Sequence, residues 1–502
     1  MYGKRLFVGV LLCCIVVLTC NGCQKKKTVT QKVTPVQTES FRIELKYSSA
    51  ATYPDKTVLR WVVPYGIPDN SDRIFAAFNE KLNQKGLGYV VDFYALGEAE
   101  KYADFLEYAK ENKLQVDVFN CGYAYYTGYF SDIIRGGLCT DIDSYFSSEK
   151  GKKLYDSFDA YYWNALSDNG KCYGISPSSV GCERQYYAFN RDLVEKYEVD
   201  TARMVTDSKY YRDTLRKVCE GEKGTRFFGL VSSLSFMFPT PKGYWPVSSP
   251  VGFRTEGGTL TAVNLCEDEG IKEEILCYIE LYQKGFVANG IAEGGNPDTI
   301  TREEIEEGRF FLILDSEKPD YENCICEIGT VIPVNKEGNV NCIASWSEHR
   351  DMGFDLLAEV YTDPELSRLL AFGIEGVHYS IKDGIITPEE EWQEWTALWA
   401  FLPNQSLLPP WNETEYHFRR GKEISEEERK YIEPNPVLGK RFVLKDYEEQ
   451  MQKLLNYEVL TTCVYRDEVW KKEDLSEQYE AELKKMKEWA DGIVNSLNQQ
   501  IH

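Results

Sequence analysis

Glu183–Asn190 reads ERQYYAFN and runs directly into Arg191-Asp192-Leu193, with CYGISP at Cys172–Pro177 just upstream. This is a strand that ends in a charged pair and a leucine. Toward the N-terminus the apolar runs alternate in kind. Val58–Val63 (VLRWVV) is a strand closed by Pro64, Tyr65 and Gly66. Asp72–Leu82 carries Ile74, Phe75, Phe78 and Leu82 at helical spacing. Tyr89–Tyr94 (YVVDFY) is a second strand, Tyr102–Tyr108 a second helix and Val116–Asn120 (VDVFN) a third strand. The rhythm is βαβαβ, which predicts an α/β fold with a largely parallel sheet. In such sheets ligands bind beyond the carboxyl ends of the strands. Tyr65 after the first strand, and Asn120, Tyr123 and Tyr125 around the end of the third, are therefore candidate ligand contacts.

Composition narrows the class. The chain has 502 residues, too many for one ordinary domain, with 43% hydrophobic and 27% charged residues. Its net charge is -23, which disfavours a nucleic-acid partner. The four histidines are scattered (His349, His378, His417, His502), which argues against a His-based metal or catalytic cluster. No phosphate-binding G-x-x-x-x-G-K-[ST], no H-E-x-x-H and no G-x-S-x-G is present, so neither a cofactor nor a metal is expected. The 80 acidic residues identify no glycosidase pair, because two carboxylates can face a sugar by chance. Acid runs such as 389–391 and 426–428 read as solvated helix starts.

The strand-and-pair text at 183–193 resembles the first crossover segment of extracellular sugar-type solute-binding proteins of ABC transporters. Glu303–Leu314 (EEIEEGRFFLIL) resembles that family's helix–Gly–strand return, and Ile328–Pro333 (IGTVIP) its next strand. Asp351–Leu370 resembles its long helix, and Glu480–Gln500 its closing helix. Phe372–Tyr379 (FGIEGVHY) resembles a signature of a Gram-positive lipoprotein subgroup. The resemblance spans about residues 55–502. It implies a monomer of two α/β lobes joined by crossing segments, with a ligand cleft between them. It places lobe 1 at 56–182 and 311–350, and lobe 2 at 188–310 and 351–502. It also implies ABC permease partners and a carbohydrate ligand, an oligosaccharide by the family's habit.

The first 22 residues read as an address. Lys4 and Arg5 precede an apolar run, Leu6–Cys20, that is short for a membrane span. Gly22-Cys23 then looks like a lipobox, with Cys20 where the usual pattern has Leu. Cys23 would carry lipid and tether the protein to the outer face of the membrane. An uncleaved anchor or an ordinary secretion signal would also place the domain outside. Residues 23–55 read as a flexible tether. Eleven cysteines remain beyond Cys23 with no C-x-x-C pair; one or two disulfides would fit, and buried free thiols are the preferred reading.

A sugar site needs aromatic faces beside amide, carboxylate or guanidinium groups. Trp245 lies in a Gly/Pro-rich stretch, expected to be a loop lining the cleft. Trp346 sits near the implied hinge, and Trp411 follows Pro409-Pro410. Glu183 and Arg184 fall at the crossover, and Glu375 lies in the signature loop, where Gly373 and Gly376 could equally serve a turn. Trp392, Trp395 and Trp399 share one helical face and read as core.

The function implied is a lipid-anchored solute-binding protein rather than an enzyme. Its rivals are an extracellular carbohydrate-active enzyme and a binding or sensor protein for a peptide or other non-sugar solute. Replacing Cys23 with alanine should release the protein from the membrane fraction. Retention of that variant after a carbonate wash would end the lipoprotein reading.

Overall fold

The computed structural model describes residues 36–501 except 38–40, 69–70, 97–100, 123–129, 178–181, 225, 233–242, 249, 289, 292–298, 316–317, 320, 392–400, 402, 411–426, 448, 452 and 455–474. Cys23, Tyr123, Tyr125, Trp411 and the stripe Trp392, Trp395 and Trp399 lie outside the described residues.

In chain order the strands are β1 Val36–Gln37, β2 Arg42–Tyr47, β3 Thr57–Val63, β4 Tyr89–Leu96, β5 Val118–Asn120, β6 Ser167–Asp168, β7 Lys171–Cys172, β8 Cys182–Asn190, β9 Phe228–Ser232, β10 Tyr244–Ser248, β11 Val251–Glu256, β12 Thr259–Asn264, β13 Val287–Ala288, β14 Phe310–Asp315, β15 Cys324–Pro333 and β16 Asn341–Ile343. Two main sheets result. The first has the order β1-β2-β4-β3-β5-β16 and the second β13-β9-β14-β8-β15. Every residue of β4 is buried, as expected for a parallel strand covered on both faces. The helix Asp72–Gln84 lays Ile74, Phe75, Phe78 and Leu82 on it. Phe75 stacks on Phe93 at 4.0 Å, and Phe401 meets Phe93 edge-on at 5.2 Å. Asn79 fixes this helix to the sheet, accepting from Val91 N at 2.6 Å and donating to Val91 O at 2.9 Å.

The predicted strands and helices up to Asn120 fall where the periodicity put them. Three expectations need correction. First, residues 36–37 and 42–47 are strands, not tether. RIELKY alternates Ile43, Leu45 and Tyr47 against Arg42, Glu44 and Lys46, and β2 pairs antiparallel with β4. Ser49 then closes the entry, donating from N and Oγ to buried Asp92 at 2.7 and 2.8 Å.

Second, the lobes divide elsewhere. β14 and β15 hydrogen-bond to β8 in the second sheet, so 310–333 belong with it rather than with the first. Conversely, helices Arg350–Thr362 and Pro364–Phe372 bury Phe354, Leu357, Val360, Leu366 and Leu370 in the core of the first sheet. Residues 437–454 and the closing helix Leu475–Gln500 do pack on the second core, through Val437, Phe442, Leu444, Met486, Ile493 and Leu497. Side-chain pattern alone does not say which sheet an apolar strand joins. Third, the single long helix is two, because Asp363 caps a new start with Pro364 in its first turn.

Among the described residues ten cysteines are free and eight of these are buried. No described helix is long and apolar enough to cross a membrane.

One guanidinium joins the pieces. Arg441 has a fully buried side chain that donates from Nε to Ser167 O (2.9 Å), and from Nη1 to Lys336 O (2.6 Å) and Glu337 Oε1 (2.9 Å). Its Nη2 donates to Ala165 O. The cation also lies 4.8 Å over the Phe130 ring. Arg441→Ala should lower stability by about 3–5 kcal/mol, because it leaves Glu337 and three carbonyls without their donor. Arg441→Lys should recover only a small part of this, since an ammonium cannot match the planar fork. Chemical melts of the three proteins check both.

Candidate ligand-binding site

The strand directions locate the site. β3, β4 and β5 run parallel, ending at Val63, Leu96 and Asn120. β16 is antiparallel to β5 and enters opposite it, Asn341 against Asn120. In the second sheet β9, β13 and β14 run parallel, and β15 runs the same way because both β14 and β15 oppose β8. Cys182 at the start of β8 therefore lies beside Pro333 at the end of β15. The chain leaves the first sheet at Ile175, bridged to Asn341, and enters the second at Cys182. It returns from Pro333 to Asn341. Both crossings thus connect carboxyl edge to carboxyl edge, the place where α/β sheets bind ligands.

A third segment, 428–444, runs along these crossings. Asn335 donates to Val437 O (2.9 Å) and Lys440 O (2.8 Å) and accepts from Gly439 N (2.8 Å). Asn435 donates to Pro333 O at 2.7 Å, and Ile432 bridges Val331. The short turn Glu428–Tyr431 heads this segment.

The predicted residues separate into several environments. Arg184 is buried and pairs through Nε with Glu428 Oε1 at 3.1 Å, both side chains only 4% exposed. Tyr186 donates its hydroxyl to the same oxygen. Burial, and then the Glu428 carboxylate, push the Tyr186 phenol well above its usual range. Glu428 is therefore a buried ion-pair partner, not a solvated helix start. Glu427 does stay on the surface, 3.1 Å from Lys318. Glu183 is on β8 beside Ile332, at the same edge.

Asn120 has both halves of its amide committed. It donates to Asn341 Oδ1 at 3.0 Å and accepts from Gly122 N at 2.7 Å. Asn341 in turn donates to Tyr361 Oη (3.1 Å) and Phe401 O (2.9 Å). The pair knits the edge of the first sheet to the helices behind it. Tyr65 is buried in the same core at that edge. Trp346 stacks near Phe119 at 6.4 Å and donates to Leu114 O at 2.7 Å, which ties it to the first lobe's core. Glu375 is exposed, in a turn built on Gly373 and Gly376 at φ +80° around His378, whose Nδ1 accepts from Ile374 N at 2.9 Å.

Trp245 is not on a loop. It lies on β10, paired with Phe253 of β11, and is buried in the second core. The Pro- and Gly-rich flanks concealed a strand whose partners are supplied by β11. Its indole N–H is buried without a hydrogen-bond partner among the described residues. β10 is anchored toward the third segment by Gly243 N, which donates to Glu433 at 3.2 Å. An indole N–H left without a partner in the fold is a candidate donor to a ligand.

Ser232, Asp315 and Asn341 also belong to this edge and lie in no stretch that the sequence singles out, whereas Tyr186 and Glu428 lie in quoted stretches that do not mark them as site residues. Ser232 ends β9, opposite Leu314, and Asp315 pairs with Tyr186 across β14 and β8. Only strand direction brings them together. Cys182, beside them, has its thiol pushed up to about 12 by burial, which leaves it a poor nucleophile. Among the described residues no group of three or more His, Cys, Asp or Glu side chains could hold a metal.

Two sheets with facing carboxyl edges and shared crossings define a two-lobed binding fold, and known proteins agree. No family model matches the chain. A carbohydrate ABC transporter substrate-binding protein of Streptococcus pneumoniae is 23% identical over 353 residues, 67% of this chain and 68% of that protein. The crystal structure of the N-glycan transport solute binding protein NgtS from Streptococcus pneumoniae superposes with a TM-score of 0.52 at 18% identity, covering 88% of this chain and 99% of that one. An HMO-binding, ABC-transporter-associated solute-binding protein of Bifidobacterium longum infantis gives a TM-score of 0.45 at 12% identity, over 88% and 99% of the two chains. The NgtS likeness establishes the fold: this chain has the two-lobed α/β architecture of solute-binding proteins.

Trp245→Ala should lower stability by about 3–5 kcal/mol, as for any large core aromatic. Trp245→Phe should cost much less, since it also removes a buried N–H without a partner, a group that costs about 1–3 kcal/mol. If that N–H serves the ligand, Trp245→Phe should weaken binding by roughly tenfold. Melts and titrations on the two variants separate the roles, and unchanged affinity in Trp245→Phe removes the indole N–H from the site.

Proposed function

We propose that this protein captures a carbohydrate, an oligosaccharide by preference, between the carboxyl edges of its two sheets and delivers it to an ABC importer at the outer face of the cytoplasmic membrane. The observation that carries the reading is the relative named as a carbohydrate ABC transporter substrate-binding protein, matched over two thirds of both chains, on a chain whose two sheets share crossing segments at their ligand edges. Closure about those segments would bury a sugar from both sides and present one shape to the permease. The lipid at Cys23 would hold the protein beside its transporter, with residues 24–35 as the tether. That tether is shorter than the sequence pattern alone implied, because β1 at Val36–Gln37 already pairs with β2.

Binding without turnover follows from this role. The protein should show a raised melting temperature with its glycan, because a ligand of the native state stabilises by mass action, about 2.7 kcal/mol at a hundredfold excess over Kd. A thermal-shift screen of oligosaccharides, including mannosyl N-glycan fragments, peptides and nucleosides, tests the class. Shifts with peptides alone would overturn the carbohydrate assignment. Steady product release from a bound glycan would overturn the binding role.

A further inference from the structure

Four cysteines of the first core converge on β16. Cys342 is its middle residue and wholly buried, with Cys121, Cys139 and Cys172 around it. Two of the four have their sulfurs engaged by backbone. Cys121 Sγ accepts from Val340 N at 3.3 Å, and Cys172 Sγ donates to Gly174 O at 3.5 Å. The Cys342 thiol reaches Val340 O only at 3.8 Å. Among the described residues these cysteines form no group that could hold a metal ion.

Cys139 is placed to meet Cys342. It bridges Ala344 in an antiparallel pair framed by Thr140 N to Ile343 O and Ser345 N to Leu138 O, each at 3.0 Å. These bonds flank the pair rather than join it. Cys139 and Ala344 are therefore a non-hydrogen-bonded pair, the closest approach that two antiparallel strands make. Cys342 precedes Ala344 by two residues, so its side chain leaves β16 on the same face, diagonal to Cys139. The bridge of Ile175 to Asn341 sets Gly174 beside Cys342. A Cβ on Gly174 would lie 3.4 Å from the Cys342 sulfur, and its absence leaves that sulfur room to turn. Burial, and next the Cys139 thiol as hydrogen-bond partner, push the Cys342 thiol well above its usual range. Two thiols from distant parts of the chain thus face each other in a dry core.

We infer that Cys139 and Cys342 are joined as a disulfide in the exported protein. The inference rests on the reading that places this chain outside the cytoplasmic membrane, where disulfides persist, and is independent of the ligand. The oxidant is an exogenous disulfide, carried by an oxidoreductase or a small thiol. One cysteine, as thiolate, attacks a sulfur of that disulfide and expels one thiolate. The other, as thiolate, attacks the mixed disulfide at the protein sulfur and expels the second. The two cysteine protons end on the two expelled thiols, so one pair of thiols is oxidised and one disulfide is reduced. Burial holds Cys342 protonated in the native core, so the exchange belongs to the chain before that core closes. The bond closes a long loop, which restrains the unfolded chain. It also fastens β16, the landing strand of the return crossing, to residues 138–140 and gives that crossing a fixed foot on the first lobe.

The test is a non-reducing peptide map by mass spectrometry of the exported full chain, unfolded in an alkylating agent. A second sample is the full chain refolded in mixed oxidised and reduced glutathione. The expected result is a linked pair of peptides carrying Cys139 and Cys342 in the exported protein. Alkylation of both cysteines in both samples overturns the inference through its geometry. A link in the refolded chain alone overturns it through the compartment, and a link of either cysteine to Cys121 or Cys172 overturns the pairing. Melts check the consequence. Refolding in a phosphine reductant should lower the melting temperature of the wild type by roughly 5 °C and leave that of the Cys139→Ala/Cys342→Ala variant unmoved. An equal shift in both proteins overturns this bond as the staple. The map needs no variant and decides even where the double variant fails to fold.

Discussion

A single buried cation holds the crossing region together. Arg441 is a long way in sequence from the carbonyls of 165, 167 and 336 and from Glu337, yet four of its N–H donors bond to those groups and its face lies on Phe130. Taking a guanidinium out of water is costly unless all its donors are met and a counter-charge lies close. Here four donors find acceptors and Glu337 supplies the counter-charge, itself fixed by Ser131 N and Oγ at 3.0 and 2.7 Å. The return crossing, the turn after helix 160–165 and the third segment therefore have to arrive together. This is the geometry on which the two carboxyl edges depend for their common boundary.

Around that clasp the molecule has two kinds of packing. The sheets are held by aromatic and aliphatic contact, such as Phe75 on Phe93, which tolerates modest exchange of shape. The edges are held by polar pairs with little freedom: Asn120 with Asn341, Arg184 with Glu428, Asn335 with the 437–440 backbone. A hinge protein needs rigid lobes and localised motion. Polar commitments next to the crossings suit that need, because a hydrogen-bonded pair in a dry setting has few alternative arrangements.

Much of the fold was legible in the chain. The period-2 and period-3.6 patterns located β3, β4, β5 and the helices Asp72–Gln84 and Tyr102–Glu111, since one buried face repeats at the spacing of its element. β2 escaped because RIELKY, although it alternates, is short and sits in a polar stretch whose composition reads as linker. Trp245 was misplaced because Pro and Gly mark turns only when no neighbouring strand is available, and β11 is. Of the candidate site, Arg184 and Glu183 were readable as residues beside a crossover. Their partner Glu428 was not, as its neighbours form an acid run like any solvated one.

By itself the sequence determined the α/β class, the order of the early elements, the strong negative charge and the lack of familiar catalytic motifs. These depend on local periodicity and composition, which neighbours in the chain suffice to set. Only the tertiary structure decided that β14 and β15 join the second sheet, that helices 350–372 return to the first core, and which carboxylates neutralise which guanidinium groups. Those outcomes turn on contacts between residues far apart in sequence. Apolar strands can be buried equally well in either sheet, and an acid can pair with any arginine the fold brings near. The choice among them is made by the chain as a whole, where burying every strand and meeting every buried donor must be satisfied at once.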